Sequence, residues 1–180
     1  MKPIPHRIAR ALAIAAATAA LSVPPTAALA AAPEPTLQHQ IDGYLAAHPG
    51  GTQINATEIS YSQGKFVVTF GTRPNRAAAA AGPVADCPSG WFCFWDQPDY
   101  AGLRGRLSSC GWQDLATWDW NDRTMSAYYA MGSGSAQFLN HAAGTSAHTR
   151  DTVLFTISTS KRGLRLVPSP GMADHVNRIC

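Results

Sequence analysis

The sequence lacks the local signatures of the common enzyme classes. It contains no Gly-x-Ser-x-Gly elbow, no His-Glu-x-x-His pair and no glycine-rich phosphate loop. A metal site or a Ser-His-Asp set built from His141, His148 and His175, with Asp151 and Asp174 close by in sequence, is the weaker interpretation. Isolated histidines are usually surface residues or structurally satisfied ones. We therefore expect that the protein is not an enzyme.

A hydrophobic run long enough for a confident membrane span is also missing. The apolar stretch from Ala11 to Val23 is short and rich in alanine. It follows three basic residues and precedes Ala28-Leu29-Ala30, the pattern of a secretory signal peptide over residues 1–30. The length of the run disfavours the alternative, an uncleaved anchor. We expect a secreted, extracellular protein that is not embedded in a membrane once the signal is removed.

An excess of charge of one sign is absent outside this signal. Three of the 14 basic residues and none of the 11 acidic residues lie in residues 1–30, so the remainder has 11 of each and no net charge. Nucleic-acid binding needs a clustered basic face. We therefore expect no nucleic-acid partner, and we expect a monomer.

Cysteines are few, and all four are expected to be paired. An exported chain meets an oxidising medium, which favours two disulfides. Of the three pairings, the Pro88-Ser89-Gly90 bend favours Cys87–Cys93, and Cys110 then pairs with Cys180. Closing the long loop stabilises the fold by about 3–5 kcal/mol. A zinc site is disfavoured because the spacing is not Cys-x2-Cys and no histidine lies nearby.

The segment from Cys87 to Ser126 holds all five tryptophans, so we expect the core to nucleate there. A strand that ends at Trp95 and folds back over residues 96–99 places Tyr100 near Trp95. Gly102 then adopts a positive φ or accepts a close backbone approach. The other tryptophans are expected mainly in the core, and any that are exposed mark a binding surface.

Residues 31–71 are predicted to form a helix followed by a β-hairpin. The apolar spacing of Leu37, Ile41, Tyr44 and Leu45 indicates a helix, which ends at His48-Pro49-Gly50-Gly51. Alternation of apolar residues indicates strands over residues 58–61 and 65–70. Such a small unit cannot bury a core by itself, so it either packs on the main domain or acts as a pro-segment that assists folding.

Residues 86–180 are predicted to form an all-β domain, after a linker over residues 72–85 that is rich in alanine, proline and glycine. Residues 111–122 lack strand alternation and are expected to form a loop or short helix. The apolar residues of the fifth strand, Val153 among them, are expected on one face. The expected strands cover residues 91–95, 103–109, 127–131, 136–140, 152–158 and 164–167.

Together these features resemble the secreted bacterial peptidase inhibitors typified by the Streptomyces metalloproteinase inhibitor. The resemblance implies a βγ-crystallin-like Greek-key sandwich, to which the helix and hairpin are an N-terminal appendage. A second aromatic-glycine motif should follow, but Ala143 replaces its second aromatic residue, which predicts either a divergent second half or a second Greek key that is built differently. The residues that carry the resemblance are Cys-Pro-x-Gly-x-x-Cys over 87–93, Trp95/Tyr100/Gly102, Cys110-Gly111-Trp112 and Asn121-Asp122.

The resemblance implies inhibition of an extracellular peptidase, with a metallopeptidase as the expected class. A loop held in one extended conformation binds a protease cleft without a large ordering cost. In that family a second-half loop is braced by its own local disulfide, whereas this chain has only Cys180 there, so the inhibitory loop stays unassigned. Residues 132–135 and 140–149 are candidate loops, although most loops merely connect strands. The alternative function is a non-inhibitory calcium- or cell-surface-binding module.

Asn121, Asp122, Arg123 and Ser126 resemble the calcium motif of microbial βγ-crystallins. Met125 stands where that motif has a hydroxyl, and a thioether is a poor ligand for a hard cation. The favoured interpretation is a capped turn in which Asn121 and Ser126 hydrogen-bond the backbone. No cofactor is expected to be required, and calcium is the one candidate.

Overall fold

The computed structural model describes residues 35–72, 84–142 and 148–180, which belong to one structural unit. The predicted signal peptide lies outside these residues, as do most of the predicted linker and part of the candidate loop at 140–149. In the described residues no helix has the length and apolar character to cross a membrane.

Helix α1 spans Leu37–Ala47 and follows from the predicted apolar spacing. The Thr36 side chain caps its N-terminus by accepting a hydrogen bond from the His39 amide at 3.3 Å. Its C-cap is His48, and Pro49 and two glycines follow. Ile41 and Tyr44 are buried, so one face of the helix packs on the β-structure.

The described part of the chain forms eleven strands arranged in two antiparallel sheets. The larger sheet has the order β1-β2-β3-β5-β4-β7-β10, and the smaller has the order β6-β11-β8-β9. This arrangement confirms the predicted all-β fold with two sheets and one short helix. The strands are β1 (Thr52–Gln53), β2 (Glu58–Tyr61), β3 (Phe66–Thr72), β4 (Phe92–Trp95), β5 (Gly102–Leu107), β6 (Gly111–Asp114), β7 (Ser126–Tyr129), β8 (Ser135–Asn140), β9 (Thr152–Ser158), β10 (Gly163–Leu164) and β11 (His175–Ile179).

The N-terminal hairpin is continuous with the main sheet. Strand β3 pairs antiparallel with β5, with Phe66 opposite Leu107. The Phe66 ring also stacks on Trp118 with the ring centroids 4.7 Å apart. The helix and hairpin therefore pack on the main domain, which is one of the two alternatives that the sequence leaves open.

The core lies between the sheets and is largely aromatic. Strand β4 is buried along its whole length, as its continuous apolar sequence predicts. The Phe94 ring lies 5.6 Å from Phe138 of the smaller sheet and 5.6 Å from Trp120. Edge-to-face aromatic contacts of this kind thus join the two layers.

Both predicted disulfides are present. Cys87 and Cys93 close the turn before β4, and Cys110 is joined to Cys180, with a Cα–Cα distance of 5.8 Å in each pair. The second bond links the start of β6 to the end of β11, which are neighbours in the smaller sheet.

Several local predictions are wrong. Strands β6 and β11 lie where the sequence pattern indicates none, because neither shows the apolar alternation of a half-buried strand and each forms by pairing with the other. Residues 132–135 connect the two sheets, since β7 lies in the larger sheet and β8 in the smaller. Val153 is 46% exposed because a register shift between Phe138 and Leu139 interrupts the alternation along β9.

A group of ion pairs crosses the larger sheet. The Arg104 side chain on β5 is buried and contacts Thr69 at 3.0 Å, Glu58 at 3.4 Å and the Asp86 carboxylate at 2.7 Å. Arg106 donates to Glu58 at 2.7 Å. Burial raises the pKa of Glu58, but the hydrogen bond from Asn55 and the charge and hydrogen bonds of its other partners lower it further, to below its usual value.

We expect Glu58→Gln to destabilise the protein in a pH-dependent way. The substitution should lower the free energy of unfolding at pH 7 by about 1–3 kcal/mol, because a charged hydrogen-bond partner of two arginines is lost. Because the pKa of Glu58 is lower in the folded protein than in the unfolded chain, its charge stabilises the fold at pH values above the usual Glu pKa of 4.5. This stabilisation is lost as the pH falls through the pKa that Glu58 has in the folded protein. Urea unfolding between pH 7 and pH 3 measures the difference. Asp42→Asn, on the exposed face of α1, is the control. A gap between Glu58→Gln and wild type that stays constant down to pH 3 would contradict this assignment.

Candidate functional site

The Trp95, Tyr100 and Gly102 motif has the predicted geometry. The rings of Trp95 and Tyr100 lie 5.1 Å apart, and both residues are buried. Gly102 has a φ of 83°, and a Cβ there would meet the side chains of Asp96 and Gln97. The glycine is therefore required for the turn that brings the second ring back onto the first.

Ser126 holds this turn from the facing strand. Its buried hydroxyl donates to the Gln97 carbonyl at 2.8 Å and accepts from the Tyr100 amide at 3.1 Å. Ser126 therefore hydrogen-bonds to the backbone, as the capped-turn interpretation predicts. The calcium assignment for the motif stays a prediction.

The other residues of that motif have separate surroundings. Arg123 stacks over Trp120 at 4.6 Å and reaches the Asp96 carboxylate at 3.2 Å. Asp122 has a positive φ of 58°, and burial, then the nearby charge of Asp174, raises its pKa. A raised pKa means that this carboxyl group gives up its proton less readily than a solvated aspartate.

Among the described residues, the most exposed leucine lies on a segment that is not one of the predicted candidate loops. Leu166 is 57% exposed, between Arg165 and Val167. The Arg165 carbonyl accepts from the Asp99 amide at 2.7 Å, and the Val167 amide donates to the Met125 carbonyl at 2.9 Å. Backbone hydrogen bonds on both sides therefore fix the leucine in an outward position.

Three histidines and one aspartate, whose sequence context alone disfavours a site, come together on the smaller sheet. Asp151 precedes β9, and its carboxylate contacts His141 Nδ1 at 2.8 Å and His148 Nδ1 at 3.0 Å. His175, at the start of β11, places its Nδ1 3.7 Å from the same carboxylate. The ligand atoms that these four residues offer all lie within 4.8 Å of one another. We call these four residues the histidine cluster.

The carboxylate side chain at its centre is fully shielded from solvent. Burial raises the pKa of Asp151, but hydrogen bonds from His148, the Ala142 amide and His141 outweigh that effect and hold the pKa below its usual range. The cluster therefore presents a buried negative charge surrounded by imidazoles.

An open cleft of about 540 Å³ borders the histidine cluster. Asn121 of the predicted calcium motif and Asp114 line it together with the three histidines. Asp174, which also lines the cleft, accepts a hydrogen bond from the His141 amide at 2.8 Å. Of the predicted calcium residues, Asn121 is the one that reaches this cleft.

One tryptophan is exposed beside the same site. Trp112 is 42% exposed, whereas Trp95, Trp118 and Trp120 are buried in the core. Its ring stacks on His148 with a centroid separation of 4.0 Å and an interplanar angle of 11°. Most of the tryptophans therefore lie in the core, as expected, and Trp112 is the exposed one.

Comparison with known proteins identifies the inhibitor-like part of the chain. Residues 80–148 match the peptidase inhibitor family I36. The I36 match covers less than half of the chain and contains β4 to β8. It confirms the resemblance to the Streptomyces metalloproteinase inhibitor type and indicates a peptidase inhibitor, with a peptidase as partner, rather than an enzyme. No curated protein and no solved structure matches the chain.

The I36 match and the disulfides both bear on where the protein is located. Two disulfides and a family of peptidase inhibitors favour an extracellular protein. The histidine cluster is only partly included, because Asp151 and His175 lie beyond residue 148. The I36 match therefore assigns it no role.

Two glycine substitutions should have opposite effects on stability. We expect Gly102→Ala to lower the free energy of unfolding by about 1–3 kcal/mol, because an L residue is strained at this positive φ. Gly43→Ala, within α1 and with open space around its Cβ, should raise it by about 0.5–1 kcal/mol. Urea unfolding at pH 7 measures both. Equal effects of the two substitutions would show that the turn does not need glycine.

Proposed function

We propose that this protein inhibits an extracellular metallopeptidase by presenting Leu166 to the specificity pocket of the enzyme. The I36 match supports the inhibitory role, and the resemblance to the Streptomyces metalloproteinase inhibitor supports the metallopeptidase class. The observation that carries the loop assignment is a large apolar side chain, 57% exposed, on a backbone fixed at both neighbours.

The anchoring of this segment matches what inhibition requires. Arg165 is joined to Asp99 through its carbonyl and also through its guanidinium, whose Nε lies 2.6 Å from the carboxylate. On the other side the Val167 side chain is 1% exposed and sits in the core. A segment that is ordered before binding avoids most of the entropy cost of ordering it in the enzyme cleft.

The position of Leu166 also limits its destruction as a substrate. Pro168 and Pro170 follow within four residues and restrict the backbone on the C-terminal side. Cleavage beside Leu166 would leave both new ends held by Asp99 and by the buried Val167. The two ends would therefore stay attached to the fold instead of separating into two pieces.

The alternative loops provide weaker anchors. Residues 132–135 contain only glycine and serine and present no large side chain to a pocket. The Ser133 carbonyl accepts a hydrogen bond from the Tyr129 hydroxyl at 2.6 Å, which holds the connection against the sheet. Residues 140–149 lie partly outside the described residues.

The inhibition constant of Leu166→Ala tests this proposal. Burying a leucine side chain contributes about 1.5–3 kcal/mol, so we expect the inhibition constant against a thermolysin-type metallopeptidase to rise about 10- to 100-fold. Ile54→Ala is the matched control, because Ile54 is also an exposed branched apolar residue, at 51%. Circular dichroism confirms that both variants are folded.

Two results would contradict the proposal. Equal loss of inhibition by Ile54→Ala and Leu166→Ala would exclude Leu166 as the anchor. Inhibition of a subtilisin-type serine peptidase without inhibition of the metallopeptidase would show that the enzyme class is wrong, while leaving an inhibitory role intact.

A further inference from the structure

We propose that the histidine cluster binds a divalent transition-metal ion, with zinc as the best match. The ligands would be the imidazoles of His141, His148 and His175 and the carboxylate of Asp151. This site lies on the smaller sheet and does not include Leu166, so it is independent of the proposed inhibitory segment.

The spacing of the ligand atoms already approaches that of a metal site. Tetrahedral zinc with bonds of about 2.0–2.1 Å separates its ligand atoms by about 3.3 Å. In the cluster the Asp151 oxygens lie 2.8 Å, 3.0 Å and 3.7 Å from the Nδ1 atoms of His141, His148 and His175. No ligand atom needs to travel far, because all four already lie within 4.8 Å of one another.

His175 provides a second, independent observation. The residue is only 8% exposed, and its Nδ1 is buried without a hydrogen-bond partner among the described residues. A buried polar atom without a partner is costly and calls for an explanation. At 3.7 Å the Asp151 oxygen is too distant for a hydrogen bond, but a metal ion bound between the two would satisfy both groups.

The surrounding residues hold the ligands in place, as outer groups do in metal sites. Trp112 stacks on the His148 ring, and the Asp174 carboxylate fixes the backbone at His141. The Asp114 carboxylate lies 3.7 Å from Nε2 of His175, on the side of the ring away from Asp151. At 3.7 Å this is a charge contact and not a hydrogen bond, but a carboxylate facing the second nitrogen is the kind of outer group that orients ligating histidines.

The donor set selects among metals. Three imidazole nitrogens and one carboxylate suit zinc and its first-row neighbours, whereas calcium and magnesium prefer sites built from oxygen ligands. Four protein ligands would complete a tetrahedral shell and leave no open position, which is the arrangement of a structural site. The site would therefore stabilise the fold and not perform chemistry.

A metal here would cross-link three segments that no disulfide joins to one another. His141 follows β8, His148 and Asp151 precede β9, and His175 begins β11. The sequence has no cysteine between Cys110 and Cys180, so the second half has no local disulfide of its own. The metal ion would act as the brace of this half of the domain.

The test uses purified full-length protein from which metal has been removed with a chelator. We expect calorimetry with zinc chloride to show one saturable site per chain. Zinc at 100-fold excess over its Kd should raise Tm by about 5–10 °C, because it binds the native state. Replacing zinc with cobalt should produce the visible absorption bands of a tetrahedral complex, and calcium should not compete.

Histidine variants identify the ligands. His148→Ala, in which the altered side chain is partly exposed, should remain folded and lose at least 10-fold in zinc affinity, and His141→Ala should do the same. His39→Ala, on the exposed face of α1, is the matched control and should bind zinc normally. The proposal is overturned by absence of saturable zinc binding, by equal loss in His39→Ala, or by calcium displacing zinc. Loss of zinc binding with unchanged inhibition would separate this site from the proposed inhibitory segment.

Discussion

The fold depends on how the chain accommodates one buried cation. Arg104 is 3% exposed, and a buried charge is tolerated only when anions and hydrogen-bond acceptors surround it. Its partners come from distant places in the sequence: Glu58 on β2, Thr69 on β3 and Asp86 just before the first disulfide. The N-terminal hairpin and the disulfide-bonded domain therefore complete one polar site that neither could satisfy separately. This constraint favours their joining in a single sheet.

Features encoded by neighbouring residues could be predicted from the sequence. The spacing of Leu37, Ile41 and Tyr44 identifies α1, the continuous apolar run identifies β4, and the turn at Pro88-Ser89-Gly90 favours the first disulfide. Strands β6 and β11 could not be predicted in this way. On β6 an exposed position carries Trp112, and on β11 a buried position carries the polar His175, so the apolar alternation that marks a strand is absent. Only pairing between distant segments creates these strands.

Neither the histidine cluster nor the Leu166 segment could be predicted from neighbouring residues in the sequence. His141 and His175 are 34 positions apart in the sequence, and only the adjacency of β8 and β11 makes them neighbours. Nothing local indicates that the Asp151 side chain becomes shielded from solvent between them. Leu166 has no sequence signal either, because its importance comes from hydrogen bonds made by the residues on each side of it. The aromatic-glycine motif, in contrast, is compact in sequence and its geometry could be predicted.

The stacking of Trp112 on His148 gives the smaller sheet an optical property. Indole emission is sensitive to the charge and the contacts of whatever lies against the ring face, and here that neighbour is a single imidazole at 4.0 Å. Three of the other indoles are sealed in the interior, so changes in solvent-quenchable emission come mainly from Trp112 and the partly buried Trp91. Trp112 is thus a natural fluorescent label beside the histidine cluster, and changes in the contacts or charge of His148 could be followed through its emission without attaching a dye.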